Sequence, residues 1–295
     1  MSKRLVVLAV VALTACGVDP VTPVAPRTVE APLTQCEVSV PPEVTGLLAM
    51  PDGVAFIRGD EVLLARGHGC ALEVSAPVAL GPLQAVDDLG RLYVMASEEL
   101  RQAHFPEAFG DTVARVDPSG AVTPLVSAGR GIWTFSVSPR GETVAMTACG
   151  PQGVLALPSL EPVFPDFTGD LANTVLTGPS TAWSFAMNEC VRGFCADRQL
   201  VRSTPEGSTP VAGVGSGTFS TRLARCGDGV CVYDHANVTV FAADGRGVQQ
   251  LTVSDLGAGP DAVLEAVSAN ALGLYLTVLD TSRRVTFVPM GGHAR

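Results

Sequence analysis

Lysine is almost absent from this chain. Lys3 is the only one, and every other basic side chain is arginine. That bias points to a GC-rich genome rather than to a basic binding surface. Lysine and arginine together number 19 against 29 acidic residues, a net charge of −10. An acidic surface repels phosphate backbones, so nucleic acid is excluded as an expected ligand. Aromatic residues make up 5% and charged residues 16%, while 47% are hydrophobic. A chain this apolar folds into a packed body and is not intrinsically disordered. No apolar run reaches the roughly 20 residues that a membrane-spanning helix needs. Histidines are few, and His68, His104, His235 and His293 stand at no metal-ligand spacing. The segment Gly213-Val-Gly-Ser-Gly217 looks suited to phosphate, but no lysine follows it and no βαβ context surrounds it. It also misses the nucleophile-elbow pattern, because Val214 stands where a glycine is required. It reads as a loop. No catalytic residue, metal site or cofactor is assigned from the sequence.

The N-terminus is more informative. Lys3-Arg4 precedes the apolar run Leu5–Ala15, which ends in Leu13-Thr14-Ala15-Cys16. A charged start, a short apolar stretch and small residues at the end make a secretory signal. The closing Leu-Thr-Ala-Cys resembles the lipobox of bacterial lipoproteins. The resemblance implies cleavage before Cys16, lipidation of Cys16 and a membrane partner held through that lipid. Gly17 rather than Asp follows, which by the same resemblance favours the outer membrane over the inner. Pro20, Pro23, Pro26 and Pro32 then stiffen the chain into an extended spacer. The expected organisation is a signal over 1–15, a lipidated, proline-rich tether over 16–42 and a folded domain over 43–295.

Seven cysteines remain beyond Cys16. Cys190 and Cys195 share one spacing with Cys226 and Cys231, four intervening residues with glycine among them. Each pair can staple a hairpin, and Cys36 with Cys70 would pin the incoming chain, leaving Cys149 free. Disulfides suit an exported protein. The rival reading, zinc held by the four hairpin cysteines, needs tighter spacing than these provide.

Helical periodicity is confined to Ser97–Phe105, which Pro106 ends. Nearly everything else reads as short apolar or β-branched runs cut by turn residues. One hairpin class recurs, with marker glycines at Gly53, Gly90, Gly141, Gly193, Gly229 and Gly273. Their mean spacing is about 44 residues. A second class lies between them, at Gly120, Gly207 and Gly245. Two hairpins per unit make four strands, the period of a propeller blade. The turn Val137-Ser-Pro-Arg-Gly-Glu-Thr-Val-Ala-Met146 resembles the inner hairpin of exported β-propellers that lack the Trp-Asp signature.

The fold class is therefore all-β, a β-propeller of six blades, with seven possible if the strand near 33–45 and the C-terminal strand form their own sheet. Tandem β-sandwiches are the alternative. Glu37–Val40 is the candidate for closing the ring against Val285–Val288. Two functions remain open alongside each other. One is a membrane-anchored binding or scaffold protein whose partner is another envelope protein, a peptide or a glycan. The other is a lactonase-type hydrolase with a metal in the channel, for which Asp170, Asn173, Asn188 and Asn237 are the available ligands. A weaker third is an outer-membrane assembly factor, by analogy of fold alone. Paired acids such as Asp87-Asp88 and Glu98-Glu99 read as solvated turn residues.

Overall fold

The computed structural model describes residues 34–290 except 109, 129–130, 149–151, 192–193 and 212–219; the side chains of 187–198 are also outside the description. The compact unit runs from Leu33 to Arg295. Residues 1–15, read as an export signal, Cys16 and Cys149 lie outside the described residues.

Six antiparallel sheets follow one another along the chain. A short strand β1 (Cys36–Val38) comes first. Blade 1 is β2 (Gly46–Met50), β3 (Gly53–Arg58), β4 (Glu61–His68) and β5 (Ala71–Val74), with β6 (Val78–Ala79) also pairing β4. Blade 2 is β7 (Leu83–Val86), β8 (Leu92–Met95), β9 (Asp111–Val116) and β10 (Val122–Ala128). Its second and third strands are joined through helix α1 (Glu98–His104), which Ser97 caps by accepting from the Leu100 N–H. Blade 3 is β11 (Ile132–Val137), β12 (Thr143–Ala148) and β13 (Gly153–Ala156), with Leu155 bridging Pro162 where a fourth strand would lie. Blade 4 is β14 (Val175–Gly178), β15 (Thr181–Val191), β16 (Phe194–Thr204) and β17 (Gly207–Pro210). Blade 5 is β18 (Arg222–Cys226), β19 (Gly229–Tyr233), β20 (Asn237–Phe241) and β21 (Gly247–Thr252). Blade 6 is β22 (Val263–Ala269), β23 (Gly273–Leu279), β24 (Arg283–Pro289) and, as its outermost strand, β1.

The inner strands close a ring. β2 packs beside β7, β7 beside β11, β11 beside β14, β14 beside β18, β18 beside β22, and β22 beside β2. The protein is an all-β, six-bladed β-propeller, and the tandem-sandwich alternative falls. The seventh blade also falls, because the N-terminal strand and the C-terminal strand belong to one sheet. Cys36 pairs with Phe287, Glu37 with Thr286 and Val38 with Val285, so the first strand completes the last blade. The Cys36–Cys70 disulfide then ties that strand to the β4–β5 turn of blade 1.

The core is divided among the blade interfaces, one cluster to each. Trp183, Phe185 and Leu200 of blade 4 meet Val230, Val232 and Phe241 of blade 5. Tyr93 and Val113 of blade 2 meet Phe135, Val144 and Met146 of blade 3. Successive side chains of a second strand point to opposite neighbours. Along β3, Val54 and Phe56 pack toward blade 6 while Ala55 packs toward blade 2. Second strands are thus covered on both faces and read as nearly continuous apolar runs. A single blade has no interior of its own, and stacking around the ring creates it.

The marker glycines have a steric reason. A Cβ on Gly53 would lie 1.9 Å from the Ala65 carbonyl oxygen, and one on Gly229 would lie 1.9 Å from that of Phe241. The second strand leaves its turn pressed against the third. The fourth marker differs from expectation. Gly193 lies outside the described residues, in the sequence between the second and third strands of its blade, β15 and β16. The equivalent inner hairpin of blade 4 turns through Gly178 and Pro179, between β14 and β15.

Candidate functional site

The six inner strands leave a central channel of about 340 Å³. Its walls mix apolar side chains, Leu47, Val86, Phe135, Leu223 and Val267 among them, with polar surface of about equal extent. Gln84, Thr134, Ser136, Thr174 and Ser268 add neutral polar groups. Ser268 accepts the Ala49 N–H at 2.7 Å, and the Asn270 amide donates to the Met50 carbonyl at 2.9 Å. These two bonds fasten blade 6 to blade 1 beside the channel.

The two mouths differ. One is ringed by the turns that join first to second strands. Here Asp87, at 1% exposure, is the most enclosed carboxylate of the described chain. Its Oδ1 accepts the N–H groups of Leu89 at 2.9 Å and Arg91 at 3.0 Å. Its Oδ2 accepts Arg91 Nε at 2.6 Å and the Tyr93 hydroxyl at 2.9 Å. The Ser138–Gly141 turn of blade 3 docks on this cluster. The Asp88 N–H donates to the Pro139 carbonyl at 2.8 Å, and Arg91 Nη2 donates to that of Arg140. A Cβ on Gly141 would lie 2.0 Å from the Tyr93 hydroxyl, so only glycine fits. The reading of Asp87 as a solvated turn acid is corrected: four donors converge on it and pull it inside.

Asp88 is exposed, and it pairs with Arg225 Nη2 at 2.5 Å. Arg225 stands on the inner strand of blade 5 and Asp88 in the inner turn of blade 2. In a ring of six those blades are opposite, so the pair spans the mouth. Beyond it lies a vestibule of about 320 Å³ that Asp228, Asn270 and Met290 also border.

The three tyrosines of the chain give this interior a readable signature. Burial raises the phenols of Tyr93, Tyr233 and Tyr275 above their ordinary value. For Tyr93 the Asp87 charge and hydrogen bond raise it further. A raised phenol stabilises the fold in full below the unfolded value of about 10, and that stability is lost as pH climbs through the folded value. Ultraviolet titration is expected to show no tyrosinate in the folded protein near pH 10 and joint ionisation on alkaline unfolding. A separate ionisation near pH 10 with the fold intact would contradict this.

The other mouth carries the connections between blades. There β11 departs from regular pairing: Ile132 opposes Ala148 and Thr134 opposes Thr147, leaving Trp133 on a bulge. Trp133 is 65% exposed. Gly131 leaves room for the ring, since a Cβ there would lie 3.0 Å from the indole nitrogen. The Gly131 N–H donates to the Asp111 carboxylate at 2.7 Å, which fixes the approach. The short 3-10 turn Leu171–Asn173 lies on the same side, and Leu171 and Ala172 line the channel.

The residues named for a lactonase-type metal do not gather. Asp170 and Asn173 do meet, the amide donating to the carboxylate at 2.8 Å. Asn237 sits at the start of β20, where its N–H donates to Asp234 at 2.8 Å. The side chain of Asn188 lies outside the description. No group of three His, Cys, Asp or Glu able to hold a metal occurs among the described residues. His68 ends β4, His104 ends α1 and His235 follows β19, on three different blades. Cys226 and Cys231 are disulfide-bonded, as are Cys36 and Cys70. Cys190 faces Cys195 across the β15–β16 ladder, though their side chains are not described. Gly213–Gly217 lies outside the described residues. No described helix is long and apolar enough to cross a membrane.

Sequence reasoning missed Trp133, which reads as one more apolar residue in a strand. It also missed Arg225, whose partner is far away in the chain. Only the Asp87, Arg91 and Tyr93 spacing within one hairpin carried a local signal.

No protein-family model matches the chain, and no curated protein matches it. Among solved structures it is similar to the Cps50 (Swd1) β-propeller domain of Myceliophteria thermophila, with 11% identity and a TM-score of 0.48 over 87% of this chain and 100% of that one. It is also similar to PorZ, described as a bacterial surface component of the type-IX secretion system of Porphyromonas gingivalis, with 8% identity and a TM-score of 0.43. That match covers 88% of this chain but 39% of PorZ. TolB from Acinetobacter baumannii matches with 10% identity and a TM-score of 0.43, over 84% of this chain and 54% of TolB.

Proposed function

We propose that this chain is an extracytoplasmic, lipid-anchored propeller that works by binding an envelope peptide, glycan or protein at its loop-bearing face. The observation that carries this reading is Trp133. A large indole standing 65% exposed on a rigid inner strand keeps apolar area in water. Tryptophan combines a flat apolar face with one N–H donor, which suits sugar rings and peptide planes and makes it a frequent binding anchor. The two disulfides support an oxidising compartment. The lipobox at Cys16 supplies the anchor.

The chain has two tryptophans, and Trp183 is fully buried, so fluorescence changes on ligand addition report Trp133. Soluble muropeptides, which carry both sugar and peptide, are the probe. Binding is expected to shift Trp133 emission to the blue and to shield it from iodide. Trp133→Ala is expected to weaken binding at least about tenfold, as hot-spot truncations do, while leaving the protein on the membrane. Cys16→Ser is expected to release the protein into the soluble fraction with muropeptide binding intact. Unchanged emission and iodide access with muropeptides and with intact sacculi would count against the binding face. Membrane retention of Cys16→Ser would count against the lipid.

A further inference from the structure

Of the described residues that line the channel, Arg225 is the one charged group. It also borders the outer vestibule, so its side chain is part of the partition between the two spaces. The Arg225 side chain is 19% exposed and that of Asp88 is 56% exposed. An arginine offers five N–H donors in a planar fork. Here Nη2 reaches Asp88, while Nη1 is buried with no acceptor. The guanidinium is therefore short of partners, and the carboxylate it has is largely in water.

We propose that the channel is a binding site for a carboxylate carried on a small apolar body, with Arg225 as the residue that receives it. The ligand enters from the face that bears Trp133, and its apolar part lies against Leu47, Val86, Phe135 and Leu223. Its carboxylate meets the guanidinium, which turns from Asp88 toward the channel and gains two acceptor oxygens. A charge pair within neutral walls is stronger than one in water. The volume of about 340 Å³ sits at the small end of ligand pockets and admits a short ligand only. A peptide C-terminus and a free organic acid both present this chemistry. Asp88 is then a competitor: it holds Arg225 across the mouth while the channel is empty. The site is separate from Trp133, which is not among the channel-lining residues.

The test is calorimetric titration, at fixed ionic strength, of the full-length protein in mild detergent with two probes. One is hexanoate. The other is Ala-Val-Ala, as the free acid and as the C-terminal amide. Saturable binding of the tripeptide acid and not its amide identifies a peptide C-terminus; binding of hexanoate alone identifies a free organic acid. Arg225→Gln is expected to abolish either, and Arg225→Lys, which keeps charge and loses the fork, to weaken it about tenfold. Asp88→Asn removes the competitor and is expected to tighten binding by up to about fivefold, the worth of one exposed ion pair. Trp133→Ala is expected to leave both affinities unchanged, so this inference and the binding-face reading stand or fall apart. Near-ultraviolet circular dichroism checks that each variant is folded. Absence of saturable binding to the wild type and to Asp88→Asn overturns the proposal. So does an Asp88→Asn loss that matches the loss in Arg225→Gln.

Discussion

Replacing Asp87 by alanine is expected to cost about 3–5 kcal/mol of folding stability, the range for breaking a buried ion pair from one side. Four donors, two from backbone and two from side chains, lose their acceptor together. The Arg91 guanidinium and the Tyr93 hydroxyl are then left beside an apolar interface. The turn that carries Asp87 also supports the docking of blade 3, so the damage reaches the Ser138–Gly141 turn. Asp87→Asn keeps the shape and half of the acceptors, and is expected to cost less than Asp87→Ala. Urea unfolding curves measure both. A loss below about 1 kcal/mol for Asp87→Ala would mean that water replaces the carboxylate, and that the cluster is a surface feature.

That cluster shows where the sequence speaks and where it stops. The blade period was legible because second strands are buried on both faces, which forces runs such as Gly53-Val-Ala-Phe-Ile57 and Gly229-Val-Cys-Val-Tyr233. Ring closure near Glu37 was legible too, since a stray strand before the first blade has one vacant edge to join. Blade 4 misled because β15 and β16 are each 11 residues long, so in sequence the junction between them imitates an inner hairpin. The inner turn there has proline directly after Gly178, unlike the other marker turns. Asp87 misled because acidic turn residues are commonly solvated, and only the docking of another blade encloses this one. Trp133 and the Arg225–Asp88 pair were illegible for a different reason. A bulge exposes the first, and closure of the whole ring assembles the second. Neither has a signature within a local window.

The second large effect concerns that closure. Cys36 and Cys70 are separated by 34 residues, and Cys226 and Cys231 by 5. Restricting the unfolded chain by the longer loop is worth about 4 kcal/mol, and by the shorter about 2 kcal/mol. The longer bridge also joins the two ends of a ring, whereas the shorter one joins neighbouring strands of a single hairpin. The double variant Cys36→Ser with Cys70→Ser is therefore expected to melt roughly 8–16 °C lower than the wild type, at about 2–4 °C per kcal/mol. Cys226→Ser with Cys231→Ser is expected to lose about half as much. Scanning calorimetry separates the two. Equal losses would show that the β1–β24 pairing holds the ring without covalent help.

The place of Cys36 matters for force as well as for heat. The chain upstream enters the propeller at β1, a strand of three residues held on one side by β24. A pull from that direction would ordinarily peel such a strand, breaking its hydrogen bonds one at a time. Cys36 is the first residue of β1, so tension meets the disulfide before it meets the ladder. The load passes through Cys70 into the β4–β5 turn and from there into blade 1. This short strand is thereby bypassed, and whatever draws on the N-terminal segment pulls on a full blade.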